Sequence, residues 1–483
     1  MTLPQMPNHY PSSTFDGEVP AAAPTTLLGA LDAIGVSYDV SPEERASHGR
    51  DWWPLSIRDV YQGHVPHWPG VVVRPRSTDE VSKILRLASE QGVAVTAQGG
   101  RSGVEGGAVA PTGGVALDLT GLNRVITLDT TSGTVRVEAG LFGPELESYV
   151  GAHGWTVGHY PQSFDLATVG GWIACRGAGQ YSNRYGKIED IVRALTVVLA
   201  NGDVIQLGGR APRQAVGPDL LQLFVGSEGA LGIITEATLV VHPKPTHEQR
   251  AAFGFDSFEE GLDACRRIMQ RHARPAVLRL YDHAESERSF EAGLCVLIVL
   301  DEGDPSLVDA TMTIVLEECF QATSLDEALV ERWMSHRNDV SALASLWEHG
   351  VVVDTIEVAG SWAALAPMRR HVIGALESLE DMLVVSAHQS HAYSDGACLY
   401  FTFAGRPTGD PTAFYRRTWD EATAVVLASG GALSHHHGVG RNRARFVPAA
   451  LASAYPLLVA LKAQLDPLNI LNPGVLGIGG DPW

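Results

Sequence analysis

Residues 225–239 read VGSEGALGIITEATL, and this stretch does most to decide the fold. Gly226, Gly229 and Gly232 recur at every third position directly before a β-branched run, which is typical of a sharp loop that leads into a strand. Two further glycine-rich segments precede it, residues 97–107 (AQGGRSGVEGG) and residues 159–179 (HYPQSFDLATVGGWIACRGAG). Three such segments in one predicted domain favour a large two-phosphate cofactor that crosses several loops.

The first of these segments, residues 97–107, has two interpretations when it is taken alone. A glycine loop after a strand is either a tight turn or a cradle of backbone N–H groups for a phosphate. Its G-x-x-G-x-x-G spacing and the predicted strand Val115–Leu119 that follows differ from the usual dinucleotide-binding unit, in which a helix follows the glycines. The other two glycine segments favour the phosphate interpretation.

The composition is that of a globular protein. Of the 483 residues, 45% are hydrophobic and 19% are charged, which predicts two or three domains with apolar cores and excludes wholesale disorder. The formal net charge of −20 repels polyanions, so we expect no nucleic-acid partner. The five cysteines never have C-x-x-C spacing, which favours reduced thiols over disulfides or a zinc site.

The N-terminus and the apolar stretches predict a soluble, cytoplasmic protein. The first residues, MTLPQMPNHYPSS, lack the charged region and the apolar region of a secretory signal. The uncharged stretches Ala292–Leu300 and Ala449–Leu461 are shorter than the about 20 residues that cross a bilayer. We therefore expect no transmembrane segment.

Periodicity divides the chain into four parts. Residues 1–66 are predicted to form an N-terminal arm followed by a helical segment. A βαβ unit opens near residue 67, short alternating strands follow, and Pro243 and Pro245 close the block, so residues 67–246 are predicted to form one α+β domain. In residues 247–440 helices alternate with apolar strands, which indicates a second α+β domain with its own sheet. Residues 441–483 form a C-terminal segment.

The sequence SHHHGVG, residues 434–440, is the strongest candidate for chemistry. Histidine titrates near neutral pH and can move protons. If the run is a strand, His435 and His437 share one face and His436 takes the other. A metal site and hydrogen-bonded structural histidines remain alternatives.

Two further side chains stand out in apolar strands. Tyr400 lies in LYFTF, residues 399–403, and Arg279 lies in AVLRL, residues 276–280. A tyrosine in such a strand is either a core residue with a bonded hydroxyl or an acid/base. A tyrosine needs a cationic neighbour to act as a base near neutral pH, and the histidine run is the candidate. The arginine either pairs with a carboxylate or serves the active site.

Together these segments resemble the FAD domain of the vanillyl-alcohol oxidase/PCMH flavoprotein superfamily. The chain is most similar to its alkylglycerone-phosphate synthase (alkyl-dihydroxyacetone-phosphate synthase) family, and the resemblance covers nearly the whole chain. The motifs that carry it are HGR (48–50), PQSFDLATVGG (161–171), RYGKIED (184–190), SEGALGIITE (227–236), ACLYF (397–401) and SHHHGVG (434–440). The resemblance implies an α+β fold with a PCMH-type FAD-binding domain, a substrate (cap) domain with its own antiparallel sheet, and a C-terminal segment that packs back on the FAD domain.

The resemblance also implies the cofactor and its contacts. Because the first glycine loop contains no histidine for attachment, we expect the FAD to be non-covalent, and we expect a small-molecule substrate and a homodimer. The implied FAD contacts are Ala97, Gln98, Gly99, Gly100, Arg101, Ser102, Gly103, Pro161, Gln162, Ser163, Asp165, Thr168, Gly170, Gly171, Cys175, Arg176, Ala178, Glu228, Gly229, Gly232, Ile233 and Ile234.

In the synthase family the tyrosine of the L-Y-F motif takes a proton from the substrate carbon that reacts at the flavin N5. By resemblance, Tyr400, the three histidines and Arg279 are the catalytic candidates, since Arg274-Pro275-Ala276 matches the R-P-A sequence that precedes an important family arginine. One position departs from the family, because Leu343 occupies the place of the arginine that binds the substrate phosphate. Losing that contact removes about 1.5 to 3 kcal/mol, and Arg337, Arg441 and Arg443 are possible substitutes.

Two functions therefore remain open at this point. One is a redox-neutral exchange of an acyloxy group for an alkoxy group on a dihydroxyacetone-type carbon, as in the synthases. The other is FAD-dependent oxidation of a hydroxy acid or an alcohol, as in related dehydrogenases. Those dehydrogenases hold a metal, and residues 388–396 (HQSHAYSDG) keep only part of their ligand pattern, so we expect no metal.

Overall fold

The computed structural model describes residues 19–65, 67–209, 211–338, 346–347 and 349–480. These residues form a mixed α+β structure. Its strands are β1 Ser37–Asp39, β2 Val71–Arg74, β3 Val95–Gln98, β4 Val115–Asp118, β5 Val125–Asp129, β6 Thr134–Glu138, β7 Trp155–Thr156, β8 Val192–Val198, β9 Val204–Gly208, β10 Ile233–Val240, β11 His242–Pro243, β12 His247–Phe255, β13 Val277–Tyr281, β14 Cys295–Gly303, β15 Thr323–Leu325, β16 Val352–Ser361, β17 Met382–Ala392 and β18 Gly396–Gly405.

The helices lie between these strands and at the two ends of the described chain. They are α1 Thr25–Ile34, α2 Pro42–Ser47, α3 Pro54–Tyr61, α4 Thr78–Gln91, α5 Gly143–Ala152, α6 Val169–Ala174, α7 Ser182–Tyr185, α8 Ile188–Ile191, α9 Phe258–Gln270, α10 His283–Phe290, α11 Pro305–Glu318, α12 Ala328–His336, α13 Trp362–Glu377, α14 Pro411–Ala428, α15 Val447–Leu451 and α16 Tyr455–Leu465. Several helix ends lie at residues whose type favours a helix end. The Ser77 hydroxyl accepts the N–H of Glu80 at the start of α4, and Gly35 adopts a left-handed conformation after α1.

The N-terminal half contains a four-stranded sheet, a five-stranded sheet and the short two-stranded pair β7-β11. The order β1-β2-β4-β3 is parallel except at β1, and the order β5-β6-β10-β8-β9 is antiparallel throughout. The βαβ unit β2-α4-β3 was expected from the alternation of Val and Ile with a capped helix. The second strand of the unit, β3, ends at Gln98, so the glycine loop of residues 99–107 begins directly at the end of that strand.

The C-terminal half is built on one seven-stranded sheet in the order β15-β12-β14-β13-β17-β18-β16. Every pairing in it is antiparallel, which confirms the expected second sheet. One face packs on α9, α11, α13 and α14 through a buried apolar core that includes Leu297, Phe401 and Trp419. The opposite face carries the polar side chains described below.

One apolar helical stretch, Ala444–Leu465, has 22 residues and is long and apolar enough to cross a membrane by length and composition alone. In the structure it is not one helix, because a 3-10 turn at Ala452–Ala454 separates α15 from α16 and Ala452 has a φ of 45°. Buried Lys462 also forms an ion pair with Asp466 at 2.6 Å. That the chain lacks a spanning segment stays a prediction.

Candidate active site

All three glycine segments line one cavity of about 460 Å³ together with β16, β18 and the histidine segment. This volume is within the range of small-molecule sites. The predicted residues that line it are Ala97, Gln98, Gly99, Gly100, Arg101, Ser102, Gly103, Pro161, Gln162, Ser163, Asp165, Thr168, Gly170, Gly171, Cys175, Ala178, Glu228, Gly229, Gly232, Ile233, Ile234, Tyr400, His436 and His437. Segments that are distant in sequence therefore form the wall of a single site.

The glycines of the first loop serve two purposes. A Cβ on Gly99 would collide with the Thr168 hydroxyl and one on Gly100 with the carbonyl of Leu166, so these two glycines let the first two glycine segments pack together. A Cβ on Gly103 or Gly107 would meet no protein atom closer than 3.6 Å, although both residues line the cavity. Packing against protein does not require glycine there, and a bare backbone that a ligand can approach fits a bound dinucleotide.

Three of the predicted site residues do not line this cavity. The Arg176 side chain is 52% exposed and its Nε lies 3.4 Å from a Glu189 carboxylate oxygen. His435 contacts Tyr393, whose hydroxyl is 2.7 Å from its Nε2. Arg279 bonds to Tyr281 and to His388, and the His388 ring stacks on Tyr400, which does line the cavity. Leu343 lies outside the described residues.

Tyr400 belongs to a row of polar residues that crosses the second sheet. In the antiparallel register Tyr400 on β18 pairs with His388 on β17 and with Glu357 on β16. Tyr281 on β13 extends the row because it pairs with His388. Cross-strand partners point to the same face of a sheet, so four chemically active side chains lie side by side. The Tyr400 ring stacks on His388 at a centroid distance of 4.8 Å.

The buried carboxylate of Glu357 positions the histidine run. It accepts the hydroxyl of Ser434 at 2.8 Å and the backbone N–H groups of His435, His436 and His437, the last at 2.9 Å. The run is a series of bends, so the alternation of faces that a strand would impose does not apply. Because one carboxylate collects three successive N–H groups, the chain cannot extend there. As a result His436 and His437, not His435 and His437, line the cavity.

The three imidazoles are neutral near neutral pH. Burial lowers the pKa of His435 and His436 to about 3 and that of His437 to about 4. Burial also raises the pKa of the Tyr400 phenol. The expectation that the run supplies a cation beside Tyr400 is therefore not met, and the site presents a protonated phenol next to uncharged imidazoles.

Arg443, a proposed phosphate ligand, is committed to the protein instead. Its buried guanidinium lies 3.0 Å from Glu357 and 2.9 Å from Glu105. Arg441 is similarly engaged, because its two Nη atoms bond to the carbonyl groups of Pro473 and Val109. Of the three candidate substitutes, Arg337 alone has no such carboxylate or carbonyl partner among the described residues.

A chain of hydrogen bonds connects Arg279, His388 and Glu285 beside Tyr400, outside the set of residues that line the cavity. Arg279 Nη2 lies 2.8 Å from His388 Nε2, and His388 Nδ1 lies 2.8 Å from a Glu285 carboxylate oxygen. Burial lowers the pKa of His388, so the neutral ring donates from Nδ1 to Glu285 and accepts from Arg279 at Nε2. His388, Glu285 and Glu357 were not identified as site residues from the sequence. An acid inside the apolar run VVVDTIEV, residues 351–358, was the available signal for Glu357.

One cluster of imidazoles has the spacing of metal ligands. Nitrogen atoms of His391, His435 and His436 lie within 4.8 Å of one another. Two of them already contact, since Nδ1 of His435 and Nδ1 of His436 are 2.9 Å apart, and the Ser182 hydroxyl is 2.8 Å from Nδ1 of His391. These contacts give the ring nitrogens hydrogen-bond partners without an ion. The absence of a metal stays a prediction.

Comparison with known proteins places this site in a family. Residues 69–208 match the FAD binding domain family and residues 244–476 match the C-terminal domain family of FAD linked oxidases. An uncharacterized FAD-linked oxidoreductase of Escherichia coli O157:H7, YgcU, is 31% identical over 84% of this chain and 89% of its own length. Alkyldihydroxyacetonephosphate synthase of Dictyostelium discoideum is 30% identical over 86% of this chain and 75% of its own.

Comparison of the fold with solved structures agrees with the sequence comparison. A solved structure of alkyldihydroxyacetonephosphate synthase is 26% identical, covers 96% of this chain and 88% of its own, and superimposes with a TM-score of 0.81. The match spans both halves of the chain, including the sheet that carries Tyr400. The chain belongs to the FAD-linked oxidase family, whose members are enzymes with FAD as their cofactor.

Proposed function

We propose that the chain is an alkylglycerone-phosphate synthase-like enzyme that exchanges an acyloxy group for an alkoxy group on a dihydroxyacetone-type carbon. The observation that supports this most is the juxtaposition of Tyr400, His436 and His437 with the three glycine segments around one cavity. A substrate in that cavity would lie between the cofactor and the phenol. The similarity to the Dictyostelium synthase supports the choice of reaction.

The glycine segments would hold FAD. Backbone N–H groups of residues 99–107 suit the phosphates, whereas the N–H groups of Gly226, Glu228 and Ala230 already bond to protein carbonyls. Thr168, Ser163 and Gly229 line the same cavity. When bound, FAD supplies an electron-accepting ring next to the substrate carbon. The described residues near Tyr400 then control protons at that carbon and its oxygens.

Tyr400 would act as the acid. Its raised pKa keeps the phenol protonated, so its hydroxyl can donate to an oxygen of the substrate as the carboxylate leaves. In the complete exchange one carbon–oxygen bond to the acyl group breaks, a carbon–oxygen bond to the alcohol forms, and the alcohol proton is released, with no net oxidation. His436 and His437 are neutral, so each ring can donate a hydrogen bond to one of these oxygens or accept one from a hydroxyl group.

Oxidation of a hydroxy acid or alcohol is the second candidate. Leu343 replaces the arginine that binds phosphate in the synthases, and the relative YgcU is named an oxidoreductase. In this reaction the substrate would lose a hydride to the cofactor and a hydroxyl proton to the site. The same tyrosine and histidines would then serve a redox reaction.

Product analysis with the purified holoenzyme separates these two reactions. Incubation with an acyl-dihydroxyacetone phosphate and a labelled long-chain alcohol should release fatty acid and place the label in an ether, without any electron acceptor. Visible absorbance of the flavin that bleaches with hydroxy acids or simple alcohols, together with no labelled ether, would refute the synthase proposal and support oxidation.

We also propose that the enzyme is a cytoplasmic homodimer. The surface of α15, α16 and the turn between them carries exposed apolar side chains, with Leu457 at 65% and Leu451 at 40% exposure. Exposed apolar surface of this kind is typical of a contact between subunits, and we propose a second copy of this chain as the occupant, in line with the homodimer that the resemblance implies. Sedimentation should give a dimer, and Leu457→Glu should give a monomer. A monomeric wild type would contradict the proposal.

A further inference from the structure

Arg337 and Arg279 lie on one indole ring without carboxylate partners. Arg337 follows the end of α12, Arg279 lies on β13, and the guanidinium carbons of both are close to the Trp333 ring, at 5.6 and 5.4 Å from its centroid. Among the residues the structure describes, neither arginine has a carboxylate oxygen within 4.0 Å. Most arginines of this acidic chain do have one, for example Arg184 with Asp301 at 2.8 Å.

The Arg337 guanidinium is enclosed by aromatic rings. Its central carbon is 5.2 Å from the centroid of Tyr181 and 5.9 Å from that of Tyr160, and its Nη1 is buried without a hydrogen-bond partner. Rings stabilise a cation in part but accept no hydrogen bond in the plane of the guanidinium. A buried donor that lacks a partner costs free energy, and more so when it is charged.

This pair of cations adjoins the cavity. Asn338, which follows Arg337, and Pro161, which follows Tyr160, both line it. Arg279 bonds to His388, whose ring stacks on Tyr400, and Tyr400 lines the cavity. Because Arg337 and Arg279 share the Trp333 ring, both guanidinium groups lie just behind the cavity wall, next to the residues that contact Tyr400.

We propose that Arg337, assisted by Arg279, forms a subsite that binds the anionic group of the substrate. The group that binds is a phosphate ester or a carboxylate, because either can accept two parallel hydrogen bonds from a planar guanidinium. The subsite deepens the proposed function on which it rests, because it supplies the anion recognition that Leu343 does not provide. It also applies to both candidate reactions.

Binding of three-carbon probes to the holoenzyme tests the subsite without turnover. The perturbation of flavin absorbance is titrated with glycerol 3-phosphate, glycerate and glycerol. The wild type should bind the better anion about tenfold to a hundredfold more tightly than glycerol, the scale of one charge-assisted contact. Added salt should weaken the binding of the anion and leave the affinity for glycerol unchanged. Comparison of the affinities for glycerol 3-phosphate and for glycerate identifies which anion the site prefers.

Two variants assign the effect to Arg337. Arg337→Met fills similar space on the rings without charge and should remove the preference for the anion, whereas Arg337→Lys should retain part of it. Arg417→Met is the matched control, because Arg417 also lies over a ring, that of Phe414 at 5.9 Å, and does not line the cavity. It should leave all three affinities unchanged.

The proposal is overturned if the wild type binds glycerol as tightly as both anions, a result that needs no variant. It is also overturned if Arg337→Met retains flavin and the full anion preference. Failure of the proposed exchange reaction is recognised separately, since glycerate that binds through Arg337 and bleaches the flavin would support the subsite and refute the synthase reaction.

Discussion

Replacing Glu357 by glutamine should misplace the histidine run and destabilise the fold. One carboxylate oxygen of Glu357 accepts hydrogen bonds from the Ser434 hydroxyl, the His437 N–H and the Arg443 guanidinium. The other oxygen accepts the N–H groups of His435 and His436. An amide nitrogen cannot accept these bonds, so at least two are lost in either orientation of the amide. With a buried, hydrogen-bonded charge removed, we expect a loss of about 3 to 5 kcal/mol in the free energy of unfolding.

Urea denaturation of the holoenzyme measures this loss, and steady-state turnover reports the displaced imidazoles. The matched control is Glu259→Gln, which removes a carboxylate that pairs with Arg370 at 3.3 Å between side chains that are 39% and 58% exposed. An exposed pair of that kind contributes under about 1 kcal/mol. The reasoning is refuted if Glu357→Gln is no less stable than Glu259→Gln and keeps wild-type turnover.

Four further changes have definite outcomes. Acid precipitation should release FAD from the polypeptide, and colour that stays with the pellet would show a covalent link. Tyr400→Phe should keep FAD and lower turnover by about 10² or more; a change of only a few fold would make it a core residue. His437→Ala should impair turnover with the melting temperature nearly unchanged, and activity that is lost with EDTA and restored by Zn²⁺ would make the imidazoles metal ligands. Burial raises the pKa of Glu228 from 4.5 to about 7, so its ionisation opposes folding as the pH rises through that range, and Glu228→Gln should flatten the fall of the melting temperature between about pH 5 and pH 8.

The sequence was sufficient for the elements whose signal is local. Ser77 and Gly35 mark helix ends because capping and left-handed turns depend on a few neighbouring residues. The three glycine segments predicted a shared cofactor site because each carries its own unusual backbone requirement. Strands such as β18 were recognised from period-two alternation, although the structure extends β18 at both ends.

Features that depend on cross-strand register could not be predicted in this way. Nothing local to His388 or Glu357 indicates that both flank Tyr400, because the pairing of β16, β17 and β18 sets that row. The conformation of the histidine run depends on the same register, since Glu357 collects its N–H groups from a distant strand. Charge states were missed for a related reason, as burial of the imidazoles is a property of the assembled site.

The charge balance of the cavity also follows from assembly. Glu105, Asp165, Glu228 and Asp354 line it and Glu357 lies beside it, and five ionised carboxylates in a chain of net charge −20 would repel a cofactor with two phosphates. Burial prevents this. Arg443 compensates Glu357, whose pKa is lowered despite burial, while burial raises the pKa of Glu105, of Asp354 to about 6 and of Glu228 to about 7. With Arg443 beside Glu357, Arg101 in the cavity wall and three of the acids partly protonated, the cavity is less negative than its five acids suggest, and backbone N–H groups of the first glycine loop can receive an anionic cofactor there.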